Sequence, residues 1–152
     1  MAYRMLIVLV SALVAAACGS TDDAVTSTHT HAASDPAHEH SMSEMIEAVG
    51  PDIPSIELTV TADPVSGFNI HAKCSNLTWA PERAGLDHVD GEGHAHVYVD
   101  GMKVARIYGE WYHLTGLTPG QHEVKVTLNA NTHAAYAVDG IEIADSVIIE
   151  AG

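Results

Sequence analysis

Eleven histidines stand in a chain of 152 residues, and two of them have a spacing that can do chemistry. His94 and His96 lie two apart in the segment Gly93-His94-Ala95-His96-Val97-Tyr98-Val99. Successive side chains of a β-strand point to opposite faces, so residues two apart share one. Ala95, Val97 and Val99 then take the core face, leaving His94, His96 and Tyr98 on the solvent face. Two imidazoles one strand repeat apart can chelate a single transition-metal ion, with a third ligand coming from another strand or loop. Two residues compete for that third place. His71 has outward parity on its own segment, and His133 falls where the alternation breaks, in Asn129-Ala130-Asn131-Thr132-His133. The candidate metal ligands are therefore His94, His96, His71 and His133.

The other histidines sort differently. His122 shares parity with Val124 and Val126 and reads as a partly buried packing or hydrogen-bonding residue. His113 follows Trp111-Tyr112 and reads as packed beside the aromatics. His88 sits in an acidic, glycine-containing loop, either within reach of His94 or simply a loop residue. His29-Thr30-His31 and His38-Glu39-His40 precede Met42 and Met45. Imidazole, carboxylate and thioether together suit copper, nickel or zinc, and thioethers favour Cu(I). Copper is the expected ion and zinc the alternative. Cys74 has the parity of Phe68 and Ile70, so it should point inward as an inert small hydrophobe, away from His71. Asp87, Asp90 and Glu92 lack the register of a calcium loop.

The elements that must hold these residues follow from the hydrophobic period. Ile56, Leu58, Val60 and Ala62 alternate with Glu57, Thr59 and Thr61, which predicts a half-buried strand. After the turn residues Asp63-Pro64-Val65-Ser66-Gly67, the positions Phe68, Ile70, Ala72 and Cys74 take the inner face. A loop spans about Ala80 to Gly93. The strand of His94 turns at Asp100-Gly101 into Lys103–Tyr108, Val124 to Leu128 form another inward set, and Asp139-Gly140 joins the last strands. About seven short strands with turns between them predict an all-β chain folded as an immunoglobulin-like or fibronectin-like antiparallel β-sandwich. No long helical pattern supports an α/β architecture. The segment Leu117-Thr118-Pro119-Gly120-Gln121-His122-Glu123-Val124-Lys125-Val126 resembles the entry to the late strand of fibronectin-type sandwiches.

Composition and the N-terminal segment set the context. Six Lys and Arg against 20 Asp and Glu give a formal charge of −14. That excludes a basic nucleic-acid binder, because phosphate attraction needs clustered cations. Residues 1–17 combine Arg4, an apolar run and small residues in the layout of a secretory signal. Val14-Ala15-Ala16-Ala17-Cys18 resembles a bacterial lipobox, which implies cleavage before Cys18, acylation of that cysteine and a membrane anchor of several acyl chains. Gly19 in place of aspartate points to the outer membrane if the envelope is Gram-negative, with the domain facing the periplasm. Residues 18–53, rich in Ser, Thr, Asp and Ala, read as a tether too polar to fold alone, with one or two helical turns at Ser43–Val49. Residues 54–152 form the sandwich domain. If Cys18 is acylated, Cys74 has no partner for an internal disulfide.

The segment Gly91-Glu92-Gly93-His94-Ala95-His96-Val97-Tyr98-Val99-Asp100-Gly101, with Ala105–Gly109 and Trp111–Leu114, resembles a group of uncharacterised bacterial exported proteins. Phe68–His71 and Leu128–His133 are similar to further stretches of that group. The resemblance covers roughly residue 54 to the C-terminus and implies an exported β-domain, with no activity attached. No nucleophile elbow, phosphate-cradling loop, dinucleotide fingerprint or His-Glu-x-x-His helix occurs, so no enzyme is expected. Two functions remain. One is a lipid-anchored periplasmic metal-binding protein that buffers or delivers copper. The other is an envelope interaction module presenting Trp111, Tyr112, Tyr98 and Arg106 to a protein partner. Clustered histidines also allow a pH sensor.

Overall fold

The computed structural model describes residues 44–152. The expected signal segment 1–17, Cys18 and the histidines of residues 29–40 lie outside the described residues, as does Met42. The regular structure of the described residues is nearly all β, and they fold as a two-sheet β-sandwich. Its strands are β1 (Met45–Glu47), β2 (Ser55–Ala62), β3 (Phe68–Ser75), β4 (Thr78–Trp79), β5 (Glu92–Val99), β6 (Met102–Ile107), β7 (Trp111–Leu114), β8 (Gly120–Ala130), β9 (Ala135–Val138), β10 (Ile141–Glu142) and β11 (Ala144–Ala151). A single 3-10 turn at Pro81–Arg83 lies inside the long loop before β5.

The small sheet has the order β2-β3-β7. The large one runs β1-β9-β8-β5-β4, with β6 also paired to β5, β11 to β8 and β10 to β9. The core lies between them. Leu58, Ile70, Ala72 and Leu114 come from the small sheet; Ala95, Val97, Val99, Val124, Val126 and Leu128 come from the large one. All of these except Leu114 are positions that period-two alternation assigns inward. Asp100 and Gly101 have φ of 49° and 79°, and Asp139 and Gly140 have 52° and 72°. Both pairs therefore make the doubly left-handed hairpin turn that Asp-Gly favours, because its twist matches that of the flanking strands.

Two expectations need correction. Strand segments exceed seven, because short pieces such as β4 and β10 are too brief to show a period. The stretch Ser43–Val49 is not helical where described: Met45–Glu47 pairs in parallel with Ala135–Ala137. Ala48 N–H donates to Ala137 O at 2.8 Å and Ala135 N–H to Glu44 O at 2.8 Å. A helix of two turns is marginal in water, whereas the free edge of β9 offers ready-made backbone partners. Sheet pairing thus begins inside the stretch read as tether.

Candidate metal centre

β5 lies inside the large sheet, between β6 and β8. Opposite His96 stand Arg106 on β6 and Thr127 on β8; opposite His94 stands Asn129. His94 and His96 leave the face away from the core, as their parity requires. They are nonetheless buried, with 0% and 5% exposure, which corrects the expectation of a solvent-facing pair. Alternation reports which face a side chain takes but not what covers that face. The His133 ring lies 4.7 Å from that of His94, and the Tyr108 ring 5.5 Å from it.

The geometry is compact. His94 Nε2 and His96 Nε2 are 3.1 Å apart. The His133 ring lies 5.8 Å from the His96 ring at an interplanar angle of 19°. One ligand atom from each of His94, His96 and His133 lies within 4.8 Å of the other two. Two nitrogens at the separation of the His94–His96 pair can share an ion at about 2.0–2.1 Å with an N–metal–N angle of about 100°, near the tetrahedral value. The three side chains could therefore hold one metal ion.

The surrounding chain holds these residues in place. Gly93, paired with Ala130, precedes His94, and a Cβ there would overlap the carbonyl oxygen of Asn129. Only glycine lets β5 and β8 approach so closely. On β8, Thr127 Oγ1 donates to Asn129 Oδ1 at 2.7 Å, and Asn129 Nδ2 donates to the His133 carbonyl at 3.2 Å. His133 itself has φ of 75°, a left-handed conformation that histidine adopts more readily than most residues. Its N–H donates to Ala130 O at 2.9 Å, and Ala130 N–H donates to Ala134 O at 2.9 Å. The polar face of β8 thus carries the turn that brings His133 over the pair.

The electrostatics favour the ligand form. Burial pushes the His94 imidazole down to about 3, with His96 and His133 adding to the shift. Burial pushes His96 down to about 4, with Lys103 the next cause. His133 also lies below its ordinary value, through burial and then Arg106. At neutral pH all three rings are uncharged, and a metal ion needs the deprotonated imidazole. His94 Nδ1 is buried without a hydrogen-bond partner among the described residues. Metal-bound histidines commonly fix the ring by a hydrogen bond from the second nitrogen; at His94 burial alone fixes it.

His71 does not join the group. It lies on the outer face of the small sheet, across the core, stacked on Trp111 at 4.1 Å and 9°, with Nε2 3.5 Å from the Glu110 carboxylate. Its outward parity is correct for its own sheet, but parity cannot say which sheet a strand joins. His133 takes the third place. His113 is exposed rather than packed, and Nε2–H donates to Ser66 O at 2.7 Å. His122 is partly buried: Nδ1–H donates to Asp100 Oδ2 at 2.6 Å and Nε2–H to Thr118 O at 2.9 Å. Both nitrogens face acceptors, which requires the imidazolium, and the Asp100 hydrogen bond raises its pKa. His88 pairs with Asp90 at 2.9 Å and lies outside the cluster. Cys74 is half-buried, donates to Ala72 O, and its thiol is pushed up to about 11 by burial, so it remains a thiol outside the site.

Sequence reasoning missed the bracing residues Thr127 and Asn129 and the covering ring of Tyr108. The signal available for the first two was their outward parity on a strand that pairs with β5. The register between two distant strands was not readable from either alone. No family model matches the chain, and neither the curated proteins nor the solved structures include a match.

Proposed function

We propose that this is a cell-envelope protein, lipid-anchored through Cys18, that binds a transition-metal ion at His94, His96 and His133 and serves to buffer or deliver it. Copper is the ion we assign, with zinc as the alternative. The observation that carries the reading is the convergence of three uncharged imidazoles within 4.8 Å, two of them buried in a braced sheet. An all-nitrogen set suits copper and zinc. Copper is favoured over zinc by the export context and by Met42 and Met45, whose thioethers suit Cu(I). The signal-like segment, the lipobox-like Ala17-Cys18 and the resemblance to exported proteins support the envelope location. No catalytic role is proposed.

The test is a titration of the full chain with Cu(I), Cu(II) and Zn(II), beside the variant His94→Ala/His96→Ala. The variant reports what the N-terminal histidines and methionines bind by themselves. One additional equivalent in the wild type establishes the ordered site; identical isotherms contradict it. A second reading draws on the outer face of the small sheet, where Trp111 is 65% exposed and stacks on His71. Such an aromatic surface fits an envelope interaction module, which identical isotherms would favour.

A further inference from the structure

The described residues contain five cations, and three are matched by carboxylates. Lys73 lies 3.4 Å from Glu57, Arg83 2.8 Å from Glu92 and Lys125 2.6 Å from Glu142. The other two, Lys103 and Arg106, have no carboxylate partner among the described residues, and both flank the histidine cluster. Arg106 stands opposite His96 in register, and Nη1 donates to His133 Nε2 at 3.1 Å. Lys103 stands opposite Tyr98, whose ring is 6.3 Å from that of His96. The carboxylate sharing this face of β5, Glu92, is already held by Arg83 and by Asn131 Nδ2 at 3.1 Å. In a chain of formal charge −14, the cluster of uncharged ligands is bordered by unmatched positive charge.

We propose that the site selects a monovalent ion, Cu(I), over divalent ions, and that Arg106 is the residue that sets this selectivity. The inference rests on the reading of His94, His96 and His133 as a metal centre. Repulsion between Arg106 or Lys103 and a bound ion scales with the ion's charge. Three neutral nitrogens and no carboxylate or thiolate supply nothing to offset it. A divalent ion therefore meets twice the penalty of a monovalent one. Coordination number acts in the same direction, because Zn(II) takes four ligands and the cluster offers three, a number sufficient for Cu(I). Arg106 is also placed to compete directly, since its N–H occupies the lone pair of His133 Nε2.

The test is chelator competition on the full chain, with Cu(I) held under anaerobic reducing conditions and Zn(II) measured separately. The proteins are wild type, Arg106→Gln and Lys103→Gln, with His94→Ala/His96→Ala as the background for the N-terminal ligands. The wild type should hold Cu(I) at least about 100-fold more tightly than Zn(II). Removing one unit charge near the ion should raise Zn(II) affinity about tenfold more than Cu(I) affinity after solvent screening. Lys103→Gln, which removes no hydrogen bond to a ligand, should shift the ratio in the same direction by a smaller factor. Equal gains for both ions, or a wild type that prefers Zn(II), would overturn the selectivity while leaving the metal centre intact. Metal binding no greater than that of the double variant would overturn both.

Discussion

Acid should destabilise this domain through His94 and His96 in particular. In the folded protein these imidazoles protonate only at about 3 and about 4; in the unfolded chain they protonate near 6.5. Below pH 6.5 the unfolded state therefore binds protons that the folded state refuses, so stability falls as pH falls, and does so until the folded values are reached. Above pH 6.5 both states are neutral and these two groups add no slope. Each proton taken up only by the unfolded chain contributes about 1.4 kcal/mol per pH unit, so the pair approaches about 2.7. From pH 7 to pH 5 this accumulates to about 3–4 kcal/mol, a large part of the 5–15 kcal/mol typical of a domain. Urea unfolding in chelator, followed by tryptophan fluorescence, should show the midpoint falling by roughly 1–3 M between those pH values. The variant His94→Gln/His96→Gln, neutral at both pH values, should lose most of that difference. If its midpoint falls as far as that of the wild type, the slope has another origin and the burial of two neutral histidines is not what the acid attacks.

Other consequences are separate. His133→Ala should weaken metal binding, whereas His71→Ala should leave the affinity unchanged within about twofold, because His71 lies on the other sheet; parallel titrations distinguish them. Asn129→Ala removes the hydrogen bond to the His133 carbonyl and should cost about 10–100-fold in metal affinity, the usual scale for a residue that orients a ligand. Gly93→Ala should destabilise the domain by about 2 kcal/mol or more, since its methyl group must force β5 from the Asn129 carbonyl; thermal unfolding of the metal-free protein reads this directly.

Much of the scaffold is legible in the sequence for physical reasons. Val97, Val99, Val124 and Val126 alternate with polar residues because one face of each strand is buried, and that periodicity survives any uncertainty about topology. Asp100-Gly101 and Asp139-Gly140 announce their turns because few other pairs tolerate two successive left-handed residues. The same alternation placed His94 and His96 on one face. It could not show that this face is covered, because the His133 turn reaches it through the distant β5–β8 pairing, and the hairpin turn before β6 does not say how the Tyr108 ring lies. His71 and His133 were equivalent candidates on parity alone. What separates them is sheet membership: β3 pairs with β2 and β7, while the His133 turn follows β8 directly beside β5. Met45–Glu47 gives no strand signal in the sequence, because three residues carry too little pattern to reveal an edge strand.

If His94, His96 and His133 share one ion, their ring nitrogens must respond to it together. The most direct measurement is imidazole nitrogen NMR of the uniformly ¹⁵N-labelled full chain during addition of Zn(II) or Cu(I), with resonances assigned from single histidine variants. The side-chain nitrogens of His94, His96 and His133 should shift together at the first equivalent, while those of His71, His113 and His122 stay where they were. A first equivalent that moves only the N-terminal histidines, with His94, His96 and His133 unchanged, would contradict a shared ion.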